Sequence, residues 1–161
     1  MTTEVKFGTT TFTTPSDREI VITHVVEAPR ELAFDAWTSP EHVPHWFGPR
    51  GSTVPVCEID LRPGGAWHYL LRSPDGTDMA MRGVYREVSR PDRLVSTESF
   101  DDYPGESLNT LVFTEEDGKT TITCTVLYES KEMRDAVIES GMQKGAAETF
   151  DRLAEYVEAN A

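Results

Sequence analysis

From Arg18 onward the apolar positions keep two rhythms. Ile20, Ile22 and Val26 share one parity, as a half-buried strand requires. Pro29 suits a first helical position, and Leu32, Ala33, Phe34, Ala36 and Trp37 give a short helix with an apolar face. Ser39, Pro40 and Glu41 form a second helix start, in a piece that ends near Trp46 to Gly48. A train of strands is predicted next, over residues 52–61, 66–72, 79–88, 94–100, 108–115 and 120–128. Turn residues separate them: Pro63-Gly64-Gly65, Pro74-Asp75-Gly76, Pro91-Asp92, a Pro/Gly loop over 102–106, and Glu116-Asp117-Gly118. Trp67, Tyr69 and Leu71 share a face, and Met81 and Tyr85 share a parity with Gly83 between them. In the last strand Ile122, Cys124 and Val126 alternate with threonines, one dry face and one wet.

The C-terminal stretch changes to the helical period. Ser130 can cap a first piece, Lys131 to Glu139, and Ser140 with Gln143 has the form of a capping box for a second. In that second piece Met142, Ala146, Phe150, Leu153, Tyr156 and Val157 recur at 3.6 residues, with charged residues elsewhere. At 1.5 Å per residue it is roughly 28 Å long, enough to cross a small sheet. The pattern predicts an α+β fold. A curved antiparallel sheet of about seven strands surrounds a long C-terminal helix, with two short helices after the first strand.

Bulk properties add limits. The chain has 161 residues, which fits one domain over 18–161, with 1–17 as an edge strand or flexible segment. The net charge of −13 repels phosphate backbones and anionic lipid, so neither nucleic acid nor membrane is an expected partner. No apolar run approaches the roughly 20 residues of a membrane helix, and the threonine-rich start has no signal-peptide pattern. Cys57 and Cys124 lie on separate strands, far apart in sequence, which fits a reduced, cytoplasmic setting.

Four segments carry a resemblance: APRELAFDAWTSPEHVPHWFGPRG (28–51), DLRPGGAW (60–67), GVYREVSRPDRL (83–94) and the 140–157 helix. With these the chain, from about Arg18 to its end, resembles the START-like (SRPBCC) superfamily. It is most similar there to bacterial proteins like the C-terminal domain of the heat-shock chaperone ATPase activator. The resemblance implies a helix-grip fold. It implies, less specifically, a hollow that serves ligand carriers, cyclases, self-resistance proteins and a co-chaperone domain alike. The eukaryotic activator joins this domain to a separate N-terminal one that grips the chaperone. Nothing here is long enough to be that domain, which weighs against chaperone contact.

Candidate chemistry follows from the faces. Trp67, Tyr69, Met81 and Phe113 line the sheet side of a prospective pocket, with Trp46 and Phe47 at its end. Met142, Ala146, Thr149 and Phe150 line the helix side, where Gly145, Ala146, Ala147 and Thr149 are small. Spacing alone fits a filled core better than a hollow; the resemblance favours the hollow. His24 and Glu98 share parity with apolar neighbours and are the candidate pocket polar groups, unless they sit at wet strand edges. His42 and His45, with Glu41 beside them, have helical spacing but too few partners for zinc, so no metal is expected. There is no Gly-x-Ser-x-Gly elbow and no phosphate loop, and no cofactor is called for. The leading expectation is a binder of a small apolar molecule. The alternatives are a co-chaperone-like interaction domain and a cyclase- or hydrolase-type enzyme using a pocket acid or base. Oligomeric state and ligand identity are not written in the pattern.

Overall fold

A computed structural model describes residues 4–161. Among these residues the strands are β1 (Glu4–Phe7), β2 (Thr10–Thr13), β3 (Glu19–Val26), β4 (Thr53–Ile59), β5 (Ala66–Arg72), β6 (Asp78–Ser89), β7 (Arg93–Phe100), β8 (Ser107–Glu116) and β9 (Lys119–Leu127). The helices are α1 (Arg30–Thr38), α2 (Lys131–Glu139) and α3 (Met142–Ala159), with a single 3-10 turn at Val43–His45. All nine strands form one antiparallel sheet in the order β1-β2-β3-β9-β8-β7-β6-β5-β4. Strands β4 to β9 follow one another as a meander, as their tight turns require. The β3–β9 pair, in register from Glu19↔Leu127 to Val26↔Thr120, joins the two ends of the chain.

Several expectations are corrected. The sheet has nine strands rather than about seven, because the threonine-rich start forms the β1–β2 hairpin on the edge beside β3. Its β-branched residues suit an edge ladder: β1 is exposed throughout, and Thr10 and Phe12 of β2 turn into the interior. The part of the 1–17 segment at residues 1–3 lies outside the described residues. The second short helix is only the 3-10 turn. Pro44, in that turn, has no N–H with which to continue an α-helical ladder from Pro40. The capping box at Ser140 does not form. Gly141 is the α3 N-cap, and the Ser140 hydroxyl donates to the Val137 carbonyl at 2.5 Å, closing α2. The Ser130 cap does form, accepting from the Met133 N–H at 3.1 Å.

Burial follows strand parity. The inner face carries Ile20, Ile22, Trp67, Tyr69, Leu71, Met81, Leu94, Leu111, Phe113 and Ile122, all buried. Helix α3 does not lie across the whole of this face. Its backbone neighbours are β1, β2, β3, α1 and α2, so it grips one end of the sheet. The 45–50 segment bridges from α3 toward β4 and β5. One aromatic chain runs through the interior. Trp67 meets Tyr69 (centroids 4.8 Å), Tyr69 meets Phe47 (5.1 Å), and Phe47 meets Trp46 (5.7 Å). Trp46 meets Trp37 (4.9 Å), which meets Phe150 (5.6 Å) on α3. No helix among the described residues is long and apolar enough to cross a membrane.

Candidate functional site

Four members of the aromatic chain, Trp37, Phe47, Trp67 and Tyr69, help to enclose a cavity of about 60 Å³ in the concave face of the sheet. Its floor comes from five adjacent strands. Trp67 and Tyr69 stand on β5, Tyr85 on β6, Leu94, Ser96 and Glu98 on β7, Asn109 and Leu111 on β8, and Cys124 on β9. These residues meet because strand side chains of one parity share a face. Ser96 lies opposite both Tyr85 and Asn109, and Leu111 opposite both Leu94 and Cys124. The roof is Trp37 from α1 and Phe47 from the loop after the 3-10 turn. A second, more open notch of about 230 Å³ lies where β7, β8 and β9 run out, with Arg18, Arg86, Glu106 and Glu129 at its walls. It is larger but shallow and charged. The enclosed cavity, with its convergent polar groups, fits the form of a ligand site better.

The roof loop is held from below by α3. The Arg152 guanidinium donates to the carbonyls of Phe47 (3.3 Å), Gly48 (2.9 Å) and Pro49 (3.1 Å). Arg50 pairs with Glu155, and its N–H donates to the Glu148 carboxylate at 3.0 Å. Gly48 has φ +95°, and a Cβ there would come within 2.5 Å of Leu71. The chain can therefore turn back sharply after Phe47 and keep its ring over the cavity.

Of the residues expected at the pocket, Phe47, Trp67, Tyr69 and Glu98 line it. Trp46, Met81, Phe113 and Phe150 are buried outside the lining; Trp46 donates its indole N–H to the Ala36 carbonyl at 3.0 Å. Met142, Ala146 and Thr149 are half-buried and also outside it. The buried stripe of α3 is Ala147, Phe150, Leu153, Ala154 and Val157: Phe150, Leu153 and Val157 belong to the expected stripe, whereas Ala147 and Ala154 are buried in place of Met142, Ala146 and Tyr156. The helix period is satisfied by either choice, and packing against β3 and α1 selects this one. His24 is buried away from the cavity, with its Nδ1 2.7 Å from the Thr10 hydroxyl and its ring 5.6 Å from Phe150. His42 and His45 clamp Tyr156. His42 Nδ1 is 2.6 Å from the phenol oxygen, and the His45 ring stacks on the phenol ring at 5.2 Å. No three His, Cys, Asp or Glu side chains converge as a metal site among the described residues.

Sequence reasoning did not single out Trp37, Tyr85, Leu94, Ser96, Asn109, Leu111 and Cys124 as pocket residues. For all of them but Trp37, which stands on α1, the signal was strand parity. Ser96 falls between Leu94 and Glu98, and Asn109 and Leu111 continue the parity of Phe113.

The electrostatics of the floor are those of a dry site. Burial holds the Glu98 carboxyl above its usual range, opposed in part by a side-chain hydrogen bond with Asn109. Burial also raises the phenols of Tyr69 and Tyr85. The Cys124 thiol is pushed up to about 12 and the half-buried Cys57 thiol to about 11, each mainly by burial, so neither is a ready nucleophile.

Residues 27–158 match the family described as Activator of Hsp90 ATPase homolog 1-like protein. The chain belongs to this family. No curated protein matches it significantly. Solved structures of the same fold include a Rhodobacter sphaeroides protein, 25% identical, with both chains covered completely and a TM-score of 0.85. A Mycobacterium smegmatis protein is 26% identical over 96% of each chain, with a TM-score of 0.79. A Nitrosomonas europaea protein is 21% identical over 91% of this chain and 98% of its own, with a TM-score of 0.83. The family match spans both roof elements, all five floor strands and most of α3.

Proposed function

We infer that the protein binds a small, largely hydrophobic molecule through the cavity under Trp37 and Phe47. The observation that carries this reading is the lining itself. Five aromatic rings and two leucines surround a few convergent polar groups in the concave face of the sheet. Membership of a START-like family supports it. The volume bounds the mode of binding. A dry cavity of about 150 Å³ takes a benzene ring, whereas a water molecule needs only some 10–15 Å³. At about 60 Å³ the space seats a head group, and the body of the ligand extends past Phe47.

Titration of the intrinsic tryptophan fluorescence with benzyl alcohol tests this. Two of the chain's three tryptophans line the cavity, so a saturable change is expected. Ser96→Leu, which fills the floor, should abolish it with little loss of stability. A wild-type signal that never saturates, or saturation unaffected by Ser96→Leu, contradicts the reading.

A further inference from the structure

Glu98 stands in the cavity without a counter-ion. Among the described residues Asn109 is the one side chain that hydrogen-bonds to it, and Asn109 also accepts from the Ser107 hydroxyl at 3.2 Å. No Lys, Arg or His contributes to the lining. The titratable groups that face Glu98 are Tyr69 from β5, Cys124 from β9 and Tyr128 just beyond β9, with Tyr85 from β6 in the same lining. All are neutral when protonated and none is a base strong enough to become a cation. Arg18 and Arg86 line the separate open notch, and His24 packs against Phe150.

A carboxyl among apolar walls is costly to ionise unless a cation comes to it. Aromatic ring faces, the negative side of the ring quadrupole, attract a cation and repel an anion. Here the rings of Trp67, Tyr69, Tyr85 and Phe47 share one small space with that carboxyl. The volume of about 60 Å³ suits a compact head group. The net charge of −13 favours the approach of cations over anions from solution.

We propose that the cavity takes a compact organic cation, a primary or methylated ammonium head group on an apolar body, with Glu98 as its counter-ion and the surrounding rings as its walls. This rests on the binding reading above and names the ligand class for the same site. Entry of the cation draws the proton off Glu98 into solvent, so no other reactant is needed. The hydrogen bond with Asn109 orients the carboxyl.

The test compares benzylamine with benzyl alcohol, which are similar in shape and differ in charge near neutral pH. In the wild-type protein benzylamine should bind at least about tenfold more tightly, the scale of one charge-assisted contact with aromatic support. In Glu98→Gln the ratio of the two affinities should fall to about one. In the wild type the affinity for benzylamine should rise with pH as Glu98 ionises, and that for benzyl alcohol should not; this arm does not depend on the variant folding. Equal binding of the two probes, or tighter binding of the alcohol, overturns the cation assignment and leaves the cavity reading standing. Benzylamine preference retained in Glu98→Gln also overturns it. Failure of both probes to bind overturns the two together.

Discussion

The indole of Trp67 lies across Gly83 on the neighbouring strand, in the space a side chain there would need. A Cβ on Gly83 would fall 2.4 Å from the indole nitrogen and 1.8 Å from the Thr97 carbonyl oxygen. The indole N–H donates to that carbonyl at 3.2 Å, and the Thr97 hydroxyl accepts from the Val84 N–H at 2.9 Å. Trp67 and Thr97 side chains thus take up ladder groups of β6 and β7 just before the irregularity between Tyr85 and Glu87. Gly83→Ala should push the indole out of place and cost about 3 kcal/mol or more, since a backbone oxygen cannot yield as a side chain can. Urea unfolding checks this; a loss below about 1 kcal/mol would show that the strands part easily at this point.

Glu98 should make stability depend on pH. Burial raises its folded-state value above the ordinary 4.5. Between the unfolded and folded values the unfolded chain releases a proton that the folded chain keeps. Stability from this group is therefore greatest below the unfolded value and falls as pH rises, levelling above the folded value. Thermal melts of the wild type and Glu98→Gln should diverge in favour of the variant as pH is raised from about 4 to about 8. Parallel curves would mean that Glu98 is not held protonated by its surroundings.

His24 acts in the opposite sense. Burial lowers its value below 6.5, with Asp151 and Glu158 opposing the shift. As pH falls below 6.5 the unfolded chain takes up a proton that the folded chain resists, so stability is lost on acidification. His24 is 1% exposed and its Nδ1 is held by Thr10. Thr10→Val should leave that nitrogen only its long contact with the Thr9 hydroxyl, at 3.5 Å, and cost about 1–3 kcal/mol. Chemical denaturation at pH near 8 measures this without the titration. An unchanged midpoint would assign His24 another partner.

Arg152 should control the roof. Its Nη1 reaches the carbonyls of Phe47, Gly48 and Pro49 while its Nη2 reaches that of His45 at 3.4 Å, a planar spread that a lysine ammonium cannot reproduce. Arg152→Ala should cost about 1–2 kcal/mol and speed amide exchange over residues 46–51, and Arg152→Lys should not restore either. Unchanged exchange in that segment would show that Arg50 and its glutamate partners hold the loop alone.

The strand faces were legible in the sequence because their period is two and each buried parity is marked by large apolar residues. That rhythm carried Trp67, Tyr69 and Glu98 to the cavity wall. The helix was less legible. A 3.6 period defines a stripe only to within about one residue: it marks Phe150, Leu153 and Val157, but Ala147 and Ala154 compete with Met142, Ala146 and Thr149 until packing decides. The start of the chain reads as one edge strand at most, rather than the two-strand hairpin it forms, because its threonines lack apolar contrast. Arg152 read as one more solvent charge, since nothing local announces that three carbonyls of a distant loop converge on it. Glu98 and Asn109 could be placed on a face, but their meeting depends on the register between β7 and β8, which short-range patterns do not specify.

The most direct test of the cavity reading follows the three indole N–H signals by NMR during titration with benzyl alcohol. Trp37 and Trp67 line the cavity, whereas Trp46 is fully buried with its N–H committed to the Ala36 carbonyl. The signals of Trp37 and Trp67 should move saturably and together, that of Trp46 least, and the backbone of Met142 and Ala146 on α3 should stay in place. No movement of the Trp67 signal, or shifts centred on Met142 and Ala146, would contradict a ligand site between the sheet and the Trp37–Phe47 roof.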